Sequence, residues 1–196
     1  MSVMVFVDGE NLTIRGQALA QANSLSLDVD ATHYLQNVFI WIPELGGLHN
    51  IPALLTLPGS LLRSYYYTSV VGDDQKVLGV RESLRRLQFD PQVFKKASGA
   101  AKSKGVDITL TKDMLSHAFL NNYEAAVLIA GDADYLPLIE EVKRRGKTVC
   151  VAFFGPGFGL APELPLVADR YYDFTRLFIE LWTKRIQALK RSGEPA

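Results

Sequence analysis

Residues 125–154, AAVLIAGDADYLPLIEEVKRRGKTVCVAFF, constrain the fold more than any other stretch of the chain. An apolar strand over 126–130 meets the turn Gly131-Asp132-Ala133-Asp134. A helix over 135–145 follows, Gly146 stops it, and a second apolar strand fills 148–154. This is a complete β-α-β unit, which requires two parallel strands with the crossover helix packed on their sheet. Glu140 and Glu141 precede Lys143, Arg144 and Arg145, the charge order that the helix dipole favours.

The same alternation recurs along the chain. Residues 3–7 form an unbroken apolar, β-branched run of the kind buried in parallel sheets, and it ends abruptly in Asp8-Gly9-Glu10-Asn11 before a helix over 12–22. Residues 62–69, with Tyr65, Tyr66 and Tyr67, read as a strand. A helix over 75–88 carries Val77, Leu78, Leu84 and Leu87 at helical spacing, with Arg81, Arg85 and Arg86 on the other side. Residues 89–94 read as extended, 95–105 as a loop of Lys, Gly, Ser and Ala, and 107–121 as a helix turning Ile108, Met114, Leu115 and Phe119 inward. A short strand over 170–174 precedes a helix over 175–190. The segment 23–60, irregular and rich in Leu, Pro and Gly, is expected to be an insertion or cap, with a helix over 30–42 inside it. Strands alternating with helices, each strand an unbroken apolar run, predict an α/β three-layer sandwich around a mostly parallel sheet. One domain over 1–190 with a frayed tail at 191–196 accounts for the length of 196 residues.

Charge narrows the field of partners. Lys and Arg total 21, as do Asp and Glu, so the net charge is zero and any nucleic-acid contact must use a local patch. The single cysteine, Cys150, forbids an internal disulfide or a multi-cysteine zinc site and is expected to be a buried strand residue in a reducing compartment. No apolar run approaches the roughly 18 residues of a membrane span, and the N-terminal apolar run breaks at Asp8. A soluble cytoplasmic protein is expected, without membrane contact.

In open parallel sheets, ligands bind beyond the carboxyl ends of the strands. Asp8, Asp132 and Asp134 follow strands there, and Asp107 opens a helix after a loop. Asp107 and Asp134 are also suitable helix caps. Asp8, at the end of a buried strand, carries a cost unless something pairs with it. Four converging carboxylates without a basic partner call for a cation, and the absence of nearby His or Cys makes Mg²⁺ or Mn²⁺ the matching choice. The chemistry that follows is water activation at a phosphoryl group.

Three motifs then carry a resemblance: Phe6-Val7-Asp8-Gly9-Glu10-Asn11-Leu12, Lys104-Gly105-Val106-Asp107-Ile108 and Ala130-Gly131-Asp132-Ala133-Asp134-Tyr135. In this order the chain resembles the NYN family, the LabA-like branch of the PIN-like metal-dependent ribonucleases. The resemblance implies a Rossmann-like PIN fold that cleaves RNA phosphodiesters with water as nucleophile. It implies Asp8, Asp107, Asp132 and Asp134 as catalytic metal ligands, direct or through water, and Asn11 as a polar accessory. Ala130 and Ala133 stand where family members often carry hydroxyls that orient such a site.

An RNA strand also needs cations. Lys95, Lys96, Lys102 and Lys104 lie in a stretch free of acids between Asp90 and Asp107 and are the candidate phosphate contacts for single-stranded RNA. Tyr65, Tyr66 and Tyr67 are placed in packing, since alternation turns at least one inward. His33, His49 and His117 have no triad or zinc spacing, and no glycine-rich nucleotide loop occurs. Two other functions stand beside the ribonuclease. One is an RNA- or protein-binding module that has lost turnover; the other is a haloacid-dehalogenase-like phosphatase with Asp8 as nucleophile and Glu10 as second acid. A symmetric homodimer is the default assembly.

Overall fold

The computed structural model describes residues 1–26, 34–35, 39–40, 59–96 and 105–192. Strand β1 (Ser2–Asp8) is followed by α1 (Gly9–Ala22), the short β2 (Tyr34–Leu35) and β3 (Phe39–Ile40), and the long β4 (Ser60–Val71). Then come α2 (Asp74–Arg86), β5 (Asp90–Lys96), α3 (Val106–Phe119) and β6 (Ala125–Ile129). A 3-10 turn (Ala133–Tyr135) leads into α4 (Leu136–Arg144), β7 (Thr148–Phe153), α5 (Leu164–Val167), β8 (Arg170–Asp173) and α6 (Thr175–Ser192).

Among the described residues six strands make one sheet in the order β5-β4-β1-β6-β7-β8. Every pairing in it is parallel. The apolar runs explain this: parallel strands are covered on both faces and so carry no polar alternation. Val3, Val5 and Val7 of β1 face a core shared with α1, α2 and α6, in which Trp182 is the largest fully buried side chain. Met4 and Phe6 face the second core, built with Leu110 and Met114 of α3 and Ile139 and Val142 of α4. The three-layer α/β sandwich is therefore as expected, and Cys150 is the buried hydrophobe of β7, its thiol pushed up to about 11 by burial.

Chain direction changes at β1. From β1 the chain moves through α1 to β4 and β5 on one side, and from β6 through α4 to β7 and β8 on the other. The crevice between the carboxyl ends of β1 and β6 is thus the switch point of the sheet, the usual ligand site of such folds. Within it, Gly9 is obligatory, because a Cβ there would run into the buried ring of Tyr66.

Three local expectations are corrected. The helix expected over 30–42 is not formed: Tyr34–Leu35 pairs antiparallel with Phe39–Ile40. The aromatic and β-branched residues Val38, Phe39, Ile40 and Trp41 favour extended pairing. The remainder of the 23–60 insertion, like the tail from 193, lies largely outside the described residues. In α3 the buried face is Val106, Leu110, Met114 and Ala118, while Ile108 and Phe119 are exposed. The large apolar side chains suggested the opposite phase, but the four-residue spacing of smaller ones packs the sheet. Phe119 is covered instead by the Arg145 guanidinium, 4.0 Å from its ring centroid. In α2, Val80 replaces the exposed Leu78 on the buried face beside Val77 and Leu84.

Candidate functional site

Asp8 ends β1 with its side chain on the α3–α4 side of the sheet, only 4% exposed. It caps α1, Oδ1 accepting the Asn11 backbone N–H at 3.0 Å, and its Oδ2 accepts the Tyr135 hydroxyl at 2.9 Å. Burial pushes the carboxyl up to about 7, with the negative charges of Asp107 and Glu10 adding to the shift and the two hydrogen bonds opposing it. Asp8 thus caps α1, while neither Asp107 nor Asp134 makes a capping hydrogen bond at its own helix; the cap leaves Asp8 a buried acid with no ion-pair partner among the described residues.

Asp107 lies in the first turn of α3 and makes no cap hydrogen bond there. Its Oδ1 is 3.3 Å from the same Tyr135 hydroxyl, so one phenol links two acids that are 99 positions apart in sequence. Partial burial raises the Asp107 carboxyl, with Asp132, Glu10 and Asp134 adding repulsion. A phenol has one proton to give, so both carboxylates cannot be satisfied by it at once.

Asp132 and Asp134 sit on the exposed turn after β6. Asp132 Oδ1 accepts the Asp134 N–H at 3.3 Å, which fixes the turn. Asn11 ties this turn to α1: its Oδ1 accepts the Gly131 N–H at 3.0 Å. Ala130 is fully buried and Ala133 exposed, so a hydroxyl at 133 would face solvent beside the two acids. The four acids and Asn11 therefore surround one crevice. Among the described residues, however, no three His, Cys, Asp or Glu groups are drawn around one point closely enough to hold a metal ion. Asp8 and Asp107 converge, while Asp132 and Asp134 stand at the rim.

The lysines are placed differently from expectation. Lys95 and Lys96 end β5 rather than lying in a loop. Lys95 Nζ is 2.8 Å from Asp74 Oδ1, and Lys96, nearly buried, pairs with Glu10. Both ammonium groups thus face a carboxylate in this structure. Lys102 and Lys104 lie outside the described residues. Ser69 also donates to Glu10, at 2.9 Å. Tyr65 and Tyr67 pack in one core and Tyr66 in the other. His117 is held between Tyr65 and Asn122, each 2.9 Å away.

The sequence matches the NYN domain family over residues 2–180. The chain belongs to the NYN domain family. NYN domains form part of the PIN-like nuclease superfamily. This chain is 27% identical over 122 residues, 62% of its length, to an uncharacterized protein of Methanocaldococcus jannaschii, of which the match spans 45%. Its fold is that of a Vibrio parahaemolyticus protein described as of unknown function, with a TM-score of 0.59, 16% identity, and 88% of this chain and 91% of that one covered. No helix among the described residues of the NYN domain is long and apolar enough to cross a membrane.

The fit of a divalent cation rests on the donor set. Asp8 and Asp107 offer carboxylate oxygens only, and among the described residues neither has an ion-pair partner. Like charges held together in partial burial match a hard cation. Tyr135 and the Glu10–Lys96 pair were missed from sequence. The one available signal was a phenol directly following the Asp-Ala-Asp turn.

Proposed function

We propose that the protein is a metal-dependent endoribonuclease that hydrolyses RNA phosphodiester bonds with water as the nucleophile. The observation that supports this most is the pairing of buried Asp8 with Asp107 across Tyr135, at the sheet's switch point and, among the described residues, without a compensating cation. Asp8 and Asp107 would hold Mg²⁺ or Mn²⁺, with Asp132 and Asp134 completing the set from the rim directly or through water. A divalent cation bound there supplies a water of lowered pKa and stabilises charge on the reacting phosphoryl group.

The chain's own residues prepare the site. Asn11 fixes the Gly131 turn against α1, so the two acid-bearing loops keep one spacing. Tyr135 orients Asp8 through its hydroxyl. Lys96 neutralises Glu10, removing one negative charge from the field that an approaching phosphate meets. Glu10, which a phosphatase would use as its second acid, is engaged by Lys96 and Ser69.

The test is cleavage of a labelled single-stranded RNA with Mn²⁺, Mg²⁺ or EDTA, by wild type and Asp132→Asn. Asp132 is exposed and an asparagine retains an oxygen for the Asp134 N–H, so the variant is expected to fold normally and lose cutting. Equal, metal-dependent rates for both would refute the assignment. RNA binding by both without cutting would favour a binding module.

A further inference from the structure

An acid-lined crevice repels a polyanion, so an RNA strand needs a cation beside it that is not already paired. Lys95 and Lys96 are paired. Arg15 is not: it is exposed on the second turn of α1 and, among the described residues, no carboxylate lies within ion-pair distance of it. It sits four residues beyond Asn11, so the two side chains share one helix face. That face looks onto the crevice, because Asn11 accepts from Gly131, the residue before Asp132.

A second observation fixes where the guanidinium rests. The loop after β7, Gly155-Pro156-Gly157-Phe158-Gly159-Leu160-Ala161, folds back beside the acid turn, the Ala161 N–H donating to the Gly131 carbonyl at 2.8 Å. Gly159 has φ +95°, and a Cβ built on it would run into Nε and Cδ of Arg15. The missing side chain at 159 is thus the space in which Arg15 lies. The arginine is laid along the backbone of this loop, next to the Gly131 turn, instead of pairing with the acids nearby.

We propose that Arg15, seated on Gly159, docks a backbone phosphate of the RNA strand flanking the bond that faces Asp8 and Asp107; this rests on the ribonuclease reading. A guanidinium has the planar donor fork that matches a phosphate and keeps its charge at all working pH values. Contact at a phosphate gives affinity and register without sequence preference.

The test is fluorescence anisotropy of a labelled single-stranded RNA in EDTA, so that nothing is cut, over a range of NaCl concentrations. For Arg15→Gln, a roughly tenfold weaker affinity is expected, with the slope of log K against log salt reduced by about 0.7, the value of one single-strand phosphate contact. Arg15→Lys is expected to restore the slope and part of the affinity. The Mn²⁺-induced rise in Tm is expected to be the same in Arg15→Gln as in wild type. An unchanged slope in Arg15→Gln overturns the proposal, as does wild type that binds no RNA. Wild type that binds with an Arg15-dependent slope but never cuts overturns the ribonuclease reading and leaves the phosphate dock standing.

Discussion

The Tyr135 hydroxyl donates to Oδ2 of Asp8 at 2.9 Å, joining the first strand to the turn after the sixth across 127 positions of sequence. Among the described residues it is the one side-chain donor to this buried carboxyl. Tyr135→Phe deletes the donor while keeping the ring in its core. Since hydrogen bonds to charged groups contribute about 1.5–3 kcal/mol, we expect a loss of about 2 kcal/mol at pH 8. At pH 5, where Asp8 is protonated, the loss is expected to be smaller. Urea unfolding at both pH values measures the difference, and an equal loss at each would contradict a role specific to the Asp8 carboxylate.

Asp8 makes folding pH-dependent in a defined direction. Its carboxyl is raised from 3.8 to about 7 in the folded protein, so between those values the folded state binds the proton more tightly than the unfolded chain. Stability from this group is therefore present at low pH and declines from about pH 4 to about pH 7, by at most about 4 kcal/mol. Asp8→Asn removes the decline. Relative to wild type, the variant gains stability as pH rises, which chemical denaturation in a pH series will detect. A variant that instead loses ground above pH 7 would show that the carboxylate is better compensated than its surroundings indicate.

Metal addition reverses the sign of that effect. A divalent cation binds the ionised acids, so Mn²⁺ is expected to raise Tm more at pH 8 than at pH 6. The shift is expected to vanish in Asp8→Asn and Asp107→Asn. Thermal scans with and without Mn²⁺ test this, and a shift that survives in both variants would place the metal elsewhere.

Glu10 and Lys96 form a coupled pair near the acids. Lys96→Met leaves the Glu10 carboxylate partly buried with Ser69 as its side-chain donor among the described residues, at an expected cost of about 2 kcal/mol. The double variant with Glu10→Gln is expected to cost less than the two single losses added together. A double-mutant cycle from unfolding data measures the coupling, and additive losses would mean the pair contributes nothing as a pair.

The sheet was legible because its strands are apolar on both faces. The run at 3–7 is followed by Asp8 and the run at 126–130, one glycine on, by Asp132, so the crevice is marked in the sequence itself. What escaped was whatever depends on partners distant in sequence. Lys96 reads as a loop cation until β5 is seen to carry it to Glu10, 86 positions away. Tyr135 reads as one more apolar helix residue until its hydroxyl is seen at Asp8 and Asp107. In α3 spacing outranks side-chain size, and Val106 and Ala118, small as they are, face the core while Ile108 and Phe119 do not.

The most direct measurement is the rate of single-stranded RNA cleavage against Mn²⁺ concentration for wild type, Asp8→Asn and Asp107→Asn, with folding checked by circular dichroism. The account predicts saturable, EDTA-sensitive cutting by wild type and loss of at least a hundredfold in each folded variant, or about 2.7 kcal/mol of barrier. Cutting by either variant at the wild-type rate and metal dependence would contradict it.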